Sequence, residues 1–138
     1  MAYLVFSDAW ADQWADEIRK SEAYRKASET WEGSISLEVA GDGDSTPAAV
    51  FVDLWRGECR AARAATPEDL EAADYALRAS LETWQRVLDG ALEPILGLMS
   101  GKLKLRKGSL AALTPYMQAS KELVAAAARV DSTFPDAL

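Results

Sequence analysis

The sequence predicts an α+β domain in which helices cover one face of an antiparallel sheet of five strands. Three observations lead there. Apolar positions recur at helical spacing near the start of the chain and again from Leu110 to about Val130. Between these stretches the period drops to two, and two of the alternating runs are joined by Arg56-Gly57, a two-residue hairpin turn. The 138 residues suffice for one domain with its own core, and no apolar run approaches the ~20 residues that cross a membrane.

Taken in order, Ser7 is a good N-cap with Asp8 in the favoured first turn. Trp10, Trp14 and Ile18 then mark one face of an amphipathic helix. Two tryptophans on one stripe suit a ligand platform, but packing on the core explains them more simply. Residues 22–30 read as a polar helix. Trp31, Gly33, Ile35, Leu37 and Val39 alternate with Glu32, Ser34, Ser36 and Glu38, which describes a strand with one wet face. Gly41-Asp42-Gly43-Asp44-Ser45 reads as a solvated hairpin loop. As a calcium loop it fails, because Asp53 stands where the twelfth-position glutamate belongs.

Ala49 to Trp55 and Glu58 to Ala64 are the next two strands. The turn between them sets an expected register, with Asp53 opposite Arg60 as a cross-strand ion pair and Phe51 opposite Ala62. The other face, with Val50, Val52, Leu54, Cys59 and Ala61, is expected to be covered, which makes the lone cysteine an inert small hydrophobe. Asp74 to Ala79 is the fourth strand. Ser80 caps a helix through Trp84, Val87 and Leu88 that ends at Gly90. Pro94 fits the first turn of a short helix closed by Gly101. Leu103 and Leu105 alternate with Lys102, Lys104 and Arg106 in the fifth strand, Ser109 caps a helix start, and Thr114-Pro115 opens a new helical segment. The end of the chain, 131–138, is expected to fray.

Composition excludes several functions. The chain has no histidine, so neither a Ser-His-Asp triad nor a histidine metal site can be built. With one cysteine there is no intrachain disulfide and no Cys-rich zinc site. The net charge of −7 opposes nucleic acid and strong attachment to an anionic membrane. The first residues lack the pattern of a secretory signal, so a soluble cytoplasmic protein is the expectation. No spacing advertises a catalytic pair, and no cofactor is called for.

The stretch from Leu92 to Leu113 carries the most information. An apolar helix stops at a glycine, a two-sided strand follows, and Gly108-Ser109 opens a further apolar helix. Trp84 and Gly90, the Leu92-Glu93-Pro94-Ile95 helix start, and Met99-Ser100-Gly101-Lys102-Leu103-Lys104-Leu105 together resemble the sterol carrier protein type 2 family, the nonspecific lipid-transfer or sterol-binding domains. Trp31-Glu32-Gly33, Asp53-Leu54-Trp55 and Gly57-Glu58-Cys59-Arg60 are similar to its prokaryotic single-domain branch. The resemblance spans nearly the whole chain. It implies a five-stranded, mostly antiparallel sheet, an apolar tunnel between sheet and helices, and noncatalytic binding of sterols, fatty acids, fatty acyl-CoA or phospholipids. Members with a peroxisomal address end in an S-K-L type signal, whereas this sequence reads Asp136-Ala137-Leu138. Ser109 stands where many members have an acidic residue.

The expected function is therefore noncatalytic binding or carrying of an apolar lipid such as a fatty acid. The alternative is a dimerisation or substrate-capture module for a partner enzyme, with a homodimer possible. The expected ligand wall is Trp84, Leu88, Leu92, Ile95, Leu96, Met99, Leu103, Leu105, Leu113, Tyr116 and Met117. Flexible residues such as Met99 and Met117 can fill an unoccupied cavity and move aside, and the Ala-rich C-terminal helix is the expected lid. Lys102, Lys104, Arg106 and Lys107 read either as a headgroup site or as the solvated face of an edge strand.

Overall fold

The structure is a computed structural model that describes residues 2–40 and 48–134. The expected loop at Gly41 to Ser45 therefore lies outside the described residues, as do residues 135–138. In chain order the elements are β1 (Tyr3–Leu4), α1 (Asp8–Lys20), α2 (Glu22–Ala27), β2 (Glu32–Val39), β3 (Ala49–Trp55), β4 (Glu58–Ala64), α3 (Pro67–Ala72) and β5 (Tyr75–Ala79). Then follow α4 (Leu81–Leu88), α5 (Pro94–Met99), β6 (Lys104–Lys107), α6 (Leu110–Leu113), a 3-10 turn (Thr114–Tyr116), α7 (Met117–Ala128) and β7 (Ser132–Thr133).

The main sheet has the order β4-β3-β2-β5-β6. Its pairs are antiparallel except β2 with β5, which run parallel. The mixed topology follows from the β4-to-β5 connection. Thr66 accepts from the Asp69 N–H, and the Asp69 carboxylate accepts from the Thr66 N–H. With Pro67 in the first turn, this capping box starts α3. Sequence reading assigns no element to residues 65–73 and so misses this helix. It also misses β1 and β7, which pair in parallel, so Ser132 and Thr133 are held in a small second sheet where fraying is expected.

The β3–β4 hairpin has the expected bounds and turn, with Arg56 at φ 46° and Gly57 at φ 86°. A bulge between Asp53 and Leu54 shifts the register, so Phe51 lies opposite Arg63, not Ala62, and Asp53 opposite Ala61. Arg60 is the extra residue of the bulge. Its guanidinium still reaches Asp53 at 3.1 Å, so the expected ion pair forms off the expected register.

Helices α1, α2, α4, α5 and α7 pack on the face that carries Ile35, Leu37, Val50, Val52, Leu54 and Leu77. The opposite face of β2, expected to be wet, is wet only at Glu32: Ser34, Ser36 and Glu38 are all buried. Arg78 and Arg106 lie over it and converge on Glu38, while Arg63 lies over the Phe51 ring. Long arginine stems cover this face and keep their charged ends partly in water.

Candidate functional site

A cavity of about 90 Å³ lies between the sheet and the helices. Its floor is Ile35 and Leu37 of β2, Val52 and Leu54 of β3 and Leu77 of β5, one face of each strand. Trp14 of α1, Tyr24 of α2 and Trp31 close one side. Trp84, Val87 and Leu88 of α4 and Pro94, Ile95 and Leu98 of α5 close another. Leu113, Tyr116 and the α7 residues Ala119, Ser120, Leu123, Val124 and Ala127 form the remaining wall. Among the described residues no charged side chain belongs to this wall.

Almost every polar group around the cavity is already committed. The indole N–H groups of Trp14, Trp31 and Trp84 donate to the carbonyls of Leu123 (3.0 Å), Gly33 (3.0 Å) and Glu38 (2.8 Å). Ser120 Oγ donates to Glu93 Oε2 at 2.7 Å, and Glu93 Oε1 caps α5 by accepting from Ile95 and Leu96. Tyr116 shares a 2.8 Å hydrogen bond with Thr30 Oγ1, and its ring stands edge-on to Trp31 at 4.9 Å. The exception is the Tyr24 hydroxyl, which is buried without a hydrogen-bond partner. Burial pushes this phenol up to about 12, against a smaller lowering by Ser28.

Of the residues anticipated from sequence, Trp84, Leu88, Ile95, Leu113 and Tyr116 lie in the cavity wall. Leu96 and Met99 are on the outer face of α5, 48% and 60% exposed. Leu103 is buried against Gly97, where an added Cβ would collide with its Cδ1. Leu105 and Met117 are half-buried against the core and off the wall. Leu92 lines a separate groove of about 260 Å³ with Glu93, Lys121 and Ala128. Pro94 and Val124 belong to both the groove and the cavity. Sequence reasoning misses the whole floor and, on the aromatic side, Tyr24 and Trp31, while it weighs Trp14 as a ligand platform and assigns it to the core. The signal is there in the two-residue period of the strands, because the face the helices cover is also the face they share a cavity with.

The basic segment divides. Arg106 is held by Glu38, and Lys107 donates to the Glu71 carbonyl. Lys102 and Lys104 are exposed. Burial pushes the Cys59 thiol up to about 11, which leaves it a poor nucleophile. Among the described residues no group of His, Cys, Asp and Glu side chains is arranged to hold a metal ion, and no helix is long and apolar enough to cross a membrane.

A family model described as the SCP-2 sterol transfer family matches residues 12–121, a span that contains the sheet, the cavity floor and most of the wall. The chain belongs to the SCP-2 sterol transfer family. Among solved structures it is similar to one described as sterol carrier protein 2, at 47% identity and TM-score 0.81, covering 91% of this chain and 98% of that one. A Thermus thermophilus protein described as possibly a sterol carrier protein shares 46% identity at TM-score 0.84, covering 96% and 94% of the two chains. The apo form of sterol carrier protein 2 from Yarrowia lipolytica, at 18% identity and TM-score 0.54 over 83% and 89% of the chains, shares the fold. No curated protein matches. The SCP-2 fold thus accounts for the five-stranded sheet, and membership in this family points to lipid or sterol binding or transfer.

Proposed function

We propose that this protein binds and carries an apolar lipid in the cavity between sheet and helices, without catalysing a reaction on it. The observation that carries this reading is the wall itself. Strand, helix and turn residues converge on an apolar space with no charged group and no pair of acid and base among the described residues. Burying apolar ligand surface there gains about 25 cal/mol per Å², and nothing in the wall activates a bond.

At about 90 Å³ the cavity is smaller than the ~300–1,000 Å³ of ordinary ligand sites. A lipid must therefore widen it. Pro94 of α5 and Val124 of α7 stand between the cavity and the 260 Å³ groove. Parting them joins the two spaces and brings the volume into the ligand range. Helix α7 is suited to that movement, because its buried residues are Ala119, Ala126 and Ala127, and small side chains lose little packing when a helix shifts.

Organic extraction of the purified protein followed by mass spectrometry, together with a fatty acid titration read by tryptophan emission, tests the reading. Trp14, Trp31 and Trp84 line the cavity, so a saturable change in emission at one lipid per chain is expected. Absence of both co-purified lipid and any emission change would sink it. A dimer in solution with the groove buried would favour the interaction-module alternative.

A further inference from the structure

Tyr24, a residue of the cavity wall, carries a buried hydroxyl that lacks a hydrogen-bond partner. Tyr24 is 1% exposed and forms part of the wall. Among the described residues its hydroxyl is the only buried side-chain nitrogen or oxygen without a hydrogen-bond partner. The nearby Ser28 hydroxyl donates instead to the Tyr24 main-chain carbonyl at 2.7 Å. Natural proteins rarely leave such a group unsatisfied, because its desolvation is uncompensated. The other polar side chains of the wall, namely Trp14, Trp31, Trp84, Tyr116 and Ser120, have partners within the protein.

We propose that the Tyr24 hydroxyl determines specificity in the cavity by donating a hydrogen bond to an uncharged oxygen of the bound lipid, such as an alcohol or an ester carbonyl. The inference rests on the lipid-binding reading above and adds the class of ligand. A neutral phenol offers one donor and no positive charge. With no lysine or arginine among the described wall residues, a carboxylate drawn into the cavity would lose its water for a single hydrogen bond, which is unfavourable. An anionic lipid is left with its charged end outside, in the groove that holds Lys121. A lipid with a neutral oxygen can bury that end and satisfy Tyr24.

The test compares hexadecanol, hexadecanoate and hexadecane as probes of wild-type protein and Tyr24→Phe at neutral pH, by tryptophan emission and calorimetry. Wild type is expected to bind hexadecanol at least ~10-fold more tightly than hexadecanoate. Tyr24→Phe is expected to weaken hexadecanol by roughly 3–10-fold, the size of one neutral hydrogen bond, and to leave hexadecane unchanged. The variant removes an unsatisfied group, so its melting temperature is expected to stay the same or rise. Equal affinity of wild type for alcohol and carboxylate overturns the proposal, and so does a Tyr24→Phe variant that keeps full affinity for hexadecanol. Those outcomes leave lipid binding standing; failure of wild type to bind any of the three removes both.

Discussion

The Trp84 indole N–H donates at 2.8 Å to the main-chain carbonyl of Glu38, whose carboxylate on the other face of the sheet takes Arg106 at 2.7 Å. One strand residue thus ties the cavity wall to a buried ion cluster. Arg78 joins from the parallel neighbour β5 at 2.9 Å, and Ser36 Oγ donates at 3.2 Å. Burial pushes the Glu38 carboxyl up, but the two guanidinium groups outweigh it and hold the group below its ordinary value.

This cluster is asymmetric, and its mutants should be too. Glu38 has no exposure, whereas the side chains of Arg78 and Arg106 are 43% and 35% exposed. Removing both charges while keeping apolar stems over the face strands a buried carboxylate, so Arg78→Met/Arg106→Met is expected to lose about 3–5 kcal/mol. Glu38→Leu leaves arginines that can reach water and is expected to lose less. Urea unfolding at pH 7 measures both, and the reverse ranking would contradict the burial argument.

Acid should also act through Asp69. The Arg63 pair at 2.6 Å holds its carboxyl down at about 2, with the Thr66 N–H assisting against burial. A carboxyl lowered in the folded state stabilises it above the unfolded value near 3.8 and loses that contribution as pH falls toward 2. Asp69→Asn is expected to lose about 1 kcal/mol at pH 7, Arg63 being half exposed. Its deficit against wild type should vanish between pH 4 and pH 2 in urea melts. A constant deficit would show that shape, not charge, is at stake.

How much of this is legible in the sequence follows one rule: local signals are, distant partners are not. Arg56-Gly57 marks the hairpin, yet the bulge at Arg60 slides the pairing of Phe51 by one residue. Ser34, Ser36 and Glu38 have polar chemistry, which reads as solvent-facing. They are buried because Asp74, Arg78 and Arg106 arrive from 40 to 68 residues away. Thr66-Pro67-Glu68-Asp69 does carry a helix-start signature, and α3 goes unpredicted despite it. The expected wall comes from the segment of strongest family resemblance, which points at α5 but does not phase it. Helical phasing from Pro94 does, since Ile95 and Leu98 share its face and Leu96 and Met99 do not.

That phasing makes a paired test. Leu98→Ser places a hydroxyl in the cavity wall, and at least ~10-fold weaker binding of a long-chain lipid is expected. Leu96→Ser/Met99→Ser changes exposed positions, so stability should stay within about 0.5 kcal/mol and cavity affinity within ~2-fold. Isothermal titration on both variants decides. Equal losses would place the ligand on the outer face of α5 instead.

Filling the cavity should separate stability from binding. Ala119 on α7 is 5% exposed and faces the 90 Å³ space. Ala119→Leu adds three carbons, each gaining about 0.8 kcal/mol if buried without strain. Part of that gain is lost where the new side chain crowds its neighbours. The expected result is an unchanged or raised melting temperature with lipid affinity lowered by at least ~10-fold. A stabilised variant that still binds lipid at full strength would mean that the ligand enters elsewhere, with the groove at Leu92 and Lys121 the next place to probe. A variant that loses both stability and binding would mean that the space is not free to be filled, and that α7 must already be displaced for a lipid to enter.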